Sequence, residues 1–520
     1  MNEFYKDKYD VIIIGASLAG LTAALTLKKE GYDVLVLEQH NLPGGVATSF
    51  VRGGVELEAS LHEMMSIGSK EYPLKIRKFL EENDIFVDWV KVPIAYRYVD
   101  DEIDFVLHAG TNGDFSLPAK EIAEACKDKD GSIYNKLMEF FTVCLNIYKS
   151  TNSGDIDKLS KIQMIKRHPD LVKSLGYSVQ EVFDALKLPN KVQDILAAYW
   201  VYLGSPVKDL PFTVYGFMLA DYLGYGSYIP RNTSHEMSLK VLEKVESLGV
   251  QVEFNQRVKS ILVKDNKVQG VRLKNDEVIN STYVISGAYP NSVYSSMIEP
   301  KEEVPEDAIK WVNAMELSLS VFSLILLLDK DYKELGIKDY ATFYSPKGMH
   351  SNDTFNSGYK IDTWDYIASI CINVAIEDAS PKNTCVYSIT YLPMGEAFKD
   401  IELDKYKDYK NKLIDHFIEM ESKRLGINLK DHIIETVVET PLSVSHYTGA
   451  YMGSIYGYRH KMNNHTAARL QTEMNERYIS GLAFAGAHQI DGDGMAVAFT
   501  NGIKGAKEIM EEDAKRKAGK

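Results

Sequence analysis

The chain has 520 residues, 45% of them hydrophobic and 25% charged, with a formal net charge of −14 at pH 7. That length exceeds one simple core and predicts two or more domains of ordinary globular character, and the acidic balance excludes nucleic acid as a partner. Four cysteines, Cys126, Cys144, Cys371 and Cys385, have neither C-x-x-C nor metal-ligand spacing, which excludes a thiolate metal centre and a disulfide framework.

The N-terminus shows no basic-then-apolar signal, and reduced thiols point to a cytoplasmic protein. The longest apolar run, residues 317–328, falls short of the ~20 residues a membrane helix needs and reads as a buried strand. A basic run at Lys515, Arg516, Lys517 and Lys520 reads as a solvated tail.

The first predicted element is a strand, VIII at residues 11–14, which breaks at Gly15 and passes into a helix carrying Leu18, Leu21 and Leu25 at helical spacing. Gly31 caps that helix, and a second strand over residues 33–37 ends in Glu38. Strand, tight turn, helix, strand, acid is a frame for the ADP half of a dinucleotide. Gly15 permits the turn, the small Ser17 lets the backbone approach a pyrophosphate, and Gly20 lets the helix pack closely on the strand. Glu38 is placed to accept from ribose hydroxyls. Ser17 stands where the G-x-G-x-x-G pattern has its second glycine. Gly44 and Gly45 follow, and two adjacent glycines imply backbone pressed against a ligand or held at positive φ.

An imperfect G-x-G-x-x-G strand–helix, an acid ending strand two and then a glycine pair resemble the opening of the large FAD-binding "GG" oxidoreductase superfamily. Its members include amine oxidases, phytoene desaturases, carotenoid isomerases and retinol saturases, with Rab GDP-dissociation inhibitors as non-enzymatic relatives. The resemblance implies FAD held by Gly15, Ser17, Leu18, Ala19, Gly20, Glu38, Gly44, Gly45 and Val46, the last where relatives often carry Arg. GGVELEASLHEM, residues 53–64, is similar to the family's strand returning to the flavin. His62, beside Glu58 and Glu63, reads either as a proton donor or as a structural His in a surface turn.

Residues 70–230 read as a mixed, largely helical insertion, amphipathic over 155–166 and 171–186, with a turn at His168 and Pro169. Residues 198–230 hold nine aromatic side chains (Tyr199, Trp200, Tyr202, Phe212, Tyr215, Phe217, Tyr222, Tyr225 and Tyr228) and read as an aromatic core or as an apolar tunnel. The pattern after Tyr228 resembles the family's return to the FAD domain, where Val258 matches a valine beside the adenine, although Asn232 and Thr233 replace two glycines common in relatives. Residues 311–475 contribute strands at 318–328, 366–374 and 385–392 and an exposed helix at 406–423. The stretch 440–458, with Tyr447 and with Gly449, Gly453 and Gly457 at every fourth position, resembles a segment near the flavin and predicts close backbone approach.

GLAFAGAHQIDGDGMAVAF, from residue 481, resembles the family's C-terminal flavin motif: a strand, a Gly-rich turn and a helix whose N-terminus faces the ring. It implies cofactor contacts from Gly486, Asp493, Gly494 and Met495, while the residues themselves favour reading Asp491 and Asp493 as helix caps.

The expected fold is α/β: a discontinuous Rossmann-type FAD domain (1–75, 228–300 and 476–520) and a mixed α+β substrate domain (76–227 and 301–475) with a mostly antiparallel sheet and a helical insertion. The resemblance implies an FAD-dependent enzyme of the phytoene desaturase and retinol saturase type, which saturates, desaturates or isomerises carbon–carbon bonds of a long apolar isoprenoid or fatty-acyl substrate. Its catalytic candidates are His62, then Glu58, Tyr447 and His488. A flavin amine oxidase and a non-enzymatic prenyl carrier are the other readings. No metal and no separate NADPH-binding domain are expected, and collection of an apolar substrate leaves peripheral membrane contact open.

Overall fold

Strand Tyr9–Ile14 lies inside an eight-stranded sheet. Its neighbours there are Val34–Leu37 and Val278–Ser286, both parallel to it, and the parallel set is completed by Gln251–Glu253 and Leu482–Phe484. A parallel sheet is covered on both faces, so its strands are apolar on both sides. Accordingly Val11, Ile13, Val34 and Val36 belong to one core, and Ile12, Leu35 and Leu37 to the core on the opposite face. The antiparallel strands Val258–Lys264 and Lys267–Leu273 extend the sheet beyond Val278–Ser286, and Ile298–Glu299 adds an eighth strand alongside Val258–Lys264. The computed structural model describes residues 4–348, 351–360, 366–462, 478–489, 492 and 494–519.

Helices Leu18–Lys29 and Met495–Lys517 pack together on one face of this sheet. Small residues set how closely they pack on each other and on the sheet. A methyl group at Gly502 would lie 2.3 Å from the carbonyl oxygen of Ala19, and one at Gly505 2.7 Å from that of Phe484.

A seven-stranded second sheet runs in the order Ile433–Glu439, Phe322–Leu328, Cys385–Tyr391, Ile367–Cys371, Ala341–Tyr344, Tyr96–Val99, Asp104–Leu107. All its neighbouring pairs are antiparallel except Ala341–Tyr344 with Tyr96–Val99. The expected strands appear with shorter limits. Residues 318 and 320 donate to the loop carbonyls of Gly457 and Pro393, so the ladder begins only at Phe322. Residues 372–374 turn into a 3₁₀ helix after Ile367–Cys371. The exposed helix is longer than its sequence signal, running Leu403–Leu425 to a left-handed Gly426.

The insertion is helical, with long elements Ser132–Thr151 and Phe212–Tyr225. Its amphipathic parts are three short helices, Lys161–Arg167, Pro169–Ser174 and Val179–Ala185, the first two separated where Pro169 forbids continuation. Phe212–Tyr225 is buried nearly all round. Only Val214 and Phe217 escape full burial, one turn apart on a single face.

Candidate functional site

The carboxyl ends of the parallel strands open onto a cavity of about 1710 Å³, bordered there by Ile14, Leu37 and Gly287. Ordinary ligand pockets hold ~300–1,000 Å³, so this one has room for more than a single small molecule.

One end is built from the first two loops. Gly15 holds φ at +102° while its N–H donates to the Leu37 carbonyl at 2.8 Å. Ser17 caps the first helix, its Oγ accepting from the Gly20 N–H at 3.3 Å. A methyl at Gly20 would sit 2.0 Å from the Gly15 oxygen, so this position serves helix–strand packing and stands behind the cavity wall. The glycine pair is laced onto the first loop by the Gly44 N–H, which donates to the Ala16 carbonyl at 2.8 Å. A methyl at Gly44 would meet the Ala47 oxygen at 2.1 Å, and one at Gly45 would meet Ser17 Cβ at 3.2 Å. The Glu38 carboxylate accepts from the N–H groups of Ala16 and His40, each at 2.7 Å, and borders the cavity. Leu18, Ala19, Val46 and Val258 also line it, and Arg257, Lys259 and Lys274 make the wall around Val258 cationic.

The C-terminal motif completes this end. Gly494, at φ +96° with open space where a side chain would be, precedes helix Met495–Lys517, whose first turn lines the cavity. Two helix N-termini, at Leu18 and Met495, therefore open onto one cavity, each a site for partial negative charge. Gly486 lines the cavity as well, and Asn501 Nδ2 donates to the carbonyls of Gly486 (2.9 Å) and Gly492 (3.0 Å), tying turn to helix. Asp491 and Asp493 lie outside the described residues. The every-fourth glycines do bring backbones together: a methyl at Gly457 would lie 2.1 Å from the Ala487 oxygen.

Beyond this end the wall carries titratable side chains. His62 lines the cavity with its Nε2 at 3.4 Å from Thr390 Oγ1, and its carbonyl accepts from the Tyr340 hydroxyl. Burial pulls its pKa down to about 4, so the imidazole is neutral at pH 7 and is no ready acid. Glu63 beside it is buried and accepts from Tyr202 Oη at 2.9 Å and from the Ser227 hydroxyl. Burial pushes its carboxyl up to about 7 against those two donors. Glu439 also faces the cavity, from the end of strand Ile433–Glu439, and burial together with the nearby Glu58 carboxylate raises it to about 7.

Of the other three expected catalytic residues, two stand outside the cavity and one at its rim. Glu58 is outside the cavity wall: its carboxylate accepts from the N–H and Oγ of Ser234, each at 2.7 Å, and from the Leu61 N–H at 3.1 Å. It anchors the N-terminus of helix Thr233–Ser247, a structural task that occupies its lone pairs. His488 is buried behind Gly486, its ring centroid 5.5 Å from Phe484 and 5.6 Å from Tyr289. Tyr447 does border the cavity, but at its rim, 63% exposed and 6.4 Å from the His40 ring beside the Glu38 turn. From sequence, Glu63 and Tyr202 are noted only as a neighbour of His62 and as part of the aromatic stretch, not as catalytic candidates, and Glu439 is not singled out. Glu63 carried a signal, an acid inside the apolar LHEMM, whereas Glu439 ends a strand with no motif about it.

Away from the nucleotide-type end, the cavity runs into the helical insertion between Val214, Phe217 and Met218 and onward to Ile156, Met164 and Leu171. The aromatic stretch is both core and wall, since Tyr199, Trp200 and Tyr215 are fully buried while Tyr202, Phe217 and Tyr222 line the cavity.

Comparison with known proteins agrees with this geometry. The family profile of flavin-containing amine oxidoreductases matches residues 18–510. The chain is 22% identical over 511 residues to the all-trans-retinol 13,14-reductase of Rattus norvegicus, covering 91% of this chain and 82% of that one. It is 25% identical over 504 residues to the 1-hydroxycarotenoid 3,4-desaturase of Flavobacterium sp. (strain P99-3), covering 94% and 96%. Among solved structures, an oxidoreductase from Methanosarcina mazei superposes with a TM-score of 0.61 at 14% identity over 97% of this chain and all of that one, a likeness of fold.

Proposed function

The chain belongs to the flavin-containing amine oxidoreductase family, and from that membership we propose that this FAD-dependent oxidoreductase acts on carbon–carbon bonds of a long apolar isoprenoid or fatty-acyl substrate. The apolar arm through the helical insertion is the observation that carries the substrate class: Val214, Phe217, Met218, Met164 and Leu171 wall a passage suited to a hydrocarbon chain. The residues present fit FAD. Two helix N-termini, the Gly15 and Gly44–Gly45 turns, the Glu38 carboxylate and the cations around Val258 match a dinucleotide's pyrophosphate, ribose and adenine. We further propose that residues 1–75, 228–300 and 476–520 form the flavin-binding unit and the remainder the substrate unit.

When bound, FAD supplies hydride chemistry. The chain itself supplies the proton site and the dry wall. Glu63, poised near neutrality and accepting from Tyr202, holds a proton next to the cavity, and Tyr202 presents its hydroxyl to the same space. Neutral His62 orients rather than protonates, with its ring against Thr390 and its carbonyl fixed by Tyr340.

Anaerobic titration tests the reading. The purified protein should be yellow, and its flavin should be reduced or reoxidised by polyenes or unsaturated fatty acids and left untouched by aliphatic amines. Turnover of amines alone would replace this reading with an amine oxidase. A colourless protein that takes up no FAD would leave only a carrier.

A further inference from the structure

The apolar arm ends beneath a segment with two unlike faces. Met164, Leu171 and Leu175 turn inward and line the cavity together with Ile156, and the exposed Thr151 and Asn152 complete that end of the lining. On the outer side, helix Lys161–Arg167 buries none of its residues. Ile162 and Ile165, one turn apart, are 68% and 56% exposed. Single exposed aliphatic residues are ordinary, but these two stand within a basic run. Residues 158–167 contain Lys158, Lys161, Lys166 and Arg167 and no carboxylate, in a chain whose net charge is −14. Acids flank the run rather than interrupt it: Asp157 directly precedes Lys158 in the sequence, Asp155 pairs with Arg167 at 3.1 Å and with His168 at 3.2 Å, and Asp170 accepts from Asn146 at 2.7 Å.

We propose that this face docks on an anionic phospholipid surface, Ile162 and Ile165 entering the headgroup region and the lysines lying over lipid phosphates, so that the mouth of the apolar arm meets the bilayer. The proposal rests on the apolar-substrate reading, because a bilayer is where such a substrate dissolves. Aliphatic side chains flanked by lysines are the composition that holds a short helix in a membrane interface. Among the described residues no helix is long and apolar enough to cross a membrane, so the contact is one of lying on the surface. The local charge also selects the partner. Lysines on a protein of net negative charge gain from anionic lipid, whereas an uncharged lipid surface offers only the two isoleucines.

Co-sedimentation of the full-length holoenzyme with phosphatidylcholine vesicles, with and without phosphatidylserine, tests it. The protein should partition onto the phosphatidylserine vesicles, and high salt should weaken that binding. Ile162→Glu with Ile165→Glu, and separately Lys161→Glu with Lys166→Glu, should each weaken binding about tenfold or more while turnover of detergent-solubilised substrate and the thermal midpoint stay unchanged. Wild-type protein that ignores both kinds of vesicle, or isoleucine variants that bind as well as wild type, would overturn the proposal. So would concentration-dependent self-association that the isoleucine variants abolish, since a second copy would then be the occupant. Vesicle binding without any turnover of polyenes or fatty acids would tell against the substrate reading and leave the docking face standing.

Discussion

Glu63 is where burial, hydrogen bonding and chemistry meet in one side chain. Two hydroxyl donors favour its ionised form, yet desolvation outweighs them and lifts the carboxyl from 4.5 to about 7. A folded-state pKa raised above the unfolded value leaves stability intact below pH 4.5, where both states are protonated. Between pH 4.5 and about 7 the unfolded chain releases its proton first, and stability falls by up to about 3 kcal/mol. Asp221, pushed up to about 6, and Glu439, to about 7, act with the same sign. The thermal midpoint should therefore drop as pH rises from 5 to 8, and Glu63→Gln should make that drop shallower; parallel curves for the two proteins would show that Glu63 is ionised in the fold. His62 has the opposite sign. An imidazole held at about 4 resists protonation, so its contribution is present above pH 6.5 and is lost as pH falls toward 4. His62→Gln should keep FAD bound and lower turnover about tenfold without moving the pH profile of kcat, whereas Glu63→Gln should move it. A profile shifted by His62→Gln alone would return the proton role to the imidazole.

At the scale of elements, glycine positions decide whether the nucleotide-type end forms. Gly20→Ala places a methyl 2.0 Å from a backbone oxygen that no side-chain motion relieves, so helix Leu18–Lys29 must shift off its strand. Loss of about 2 kcal/mol or more of stability and of most bound flavin, read as the ratio of visible to protein absorbance, is the expected result. A variant that keeps full flavin content would show that the helix tolerates the shift. This end was legible in the sequence because it is local: Gly15, Ser17, Gly20 and Glu38 meet through a turn and one helix, and spacing alone brings them together. Glu58 misled for the converse reason. Its partners, Ser234 N–H and Oγ, lie 176 residues away, so an acid beside a histidine read as chemistry when it holds a helix N-terminus. Thr233 shows the same limit, adopting φ +79° where relatives often have a glycine and donating to Glu56 at 3.1 Å. The Tyr202–Glu63 contact likewise joins the insertion to the first hundred residues, and nothing in either stretch announces it.

For the molecule as a whole, the division of labour lies along the cavity. Parallel strands and two helix N-termini frame one end, the second sheet supplies Thr390 and Glu439 to the middle, and the insertion walls the far arm. Fold class was readable from the alternation of strand and helix signals, but whether the aromatic stretch was core or tunnel depended on which side of Phe212–Tyr225 faces the cavity. Val214 and Phe217, its two incompletely buried residues, answer that. Because they sit in the arm and not beside the Gly15 turn, cofactor binding and substrate binding should be separable by mutation. Val214→Trp adds bulk to the passage without touching either helix N-terminus. It should leave flavin content and the flavin spectrum unchanged and raise KM for a long-chain substrate about tenfold or more, with a smaller effect on a short analogue that stops before the insertion. The comparison across chain length is the decisive part. A loss equal for long and short substrates would mean that the helix has moved as a body, and a loss of flavin would mean that the two ends are mechanically coupled through it. A length-dependent loss with full flavin would locate the hydrocarbon chain in the arm and set the reacting bond at the end bordered by His62 and Glu63.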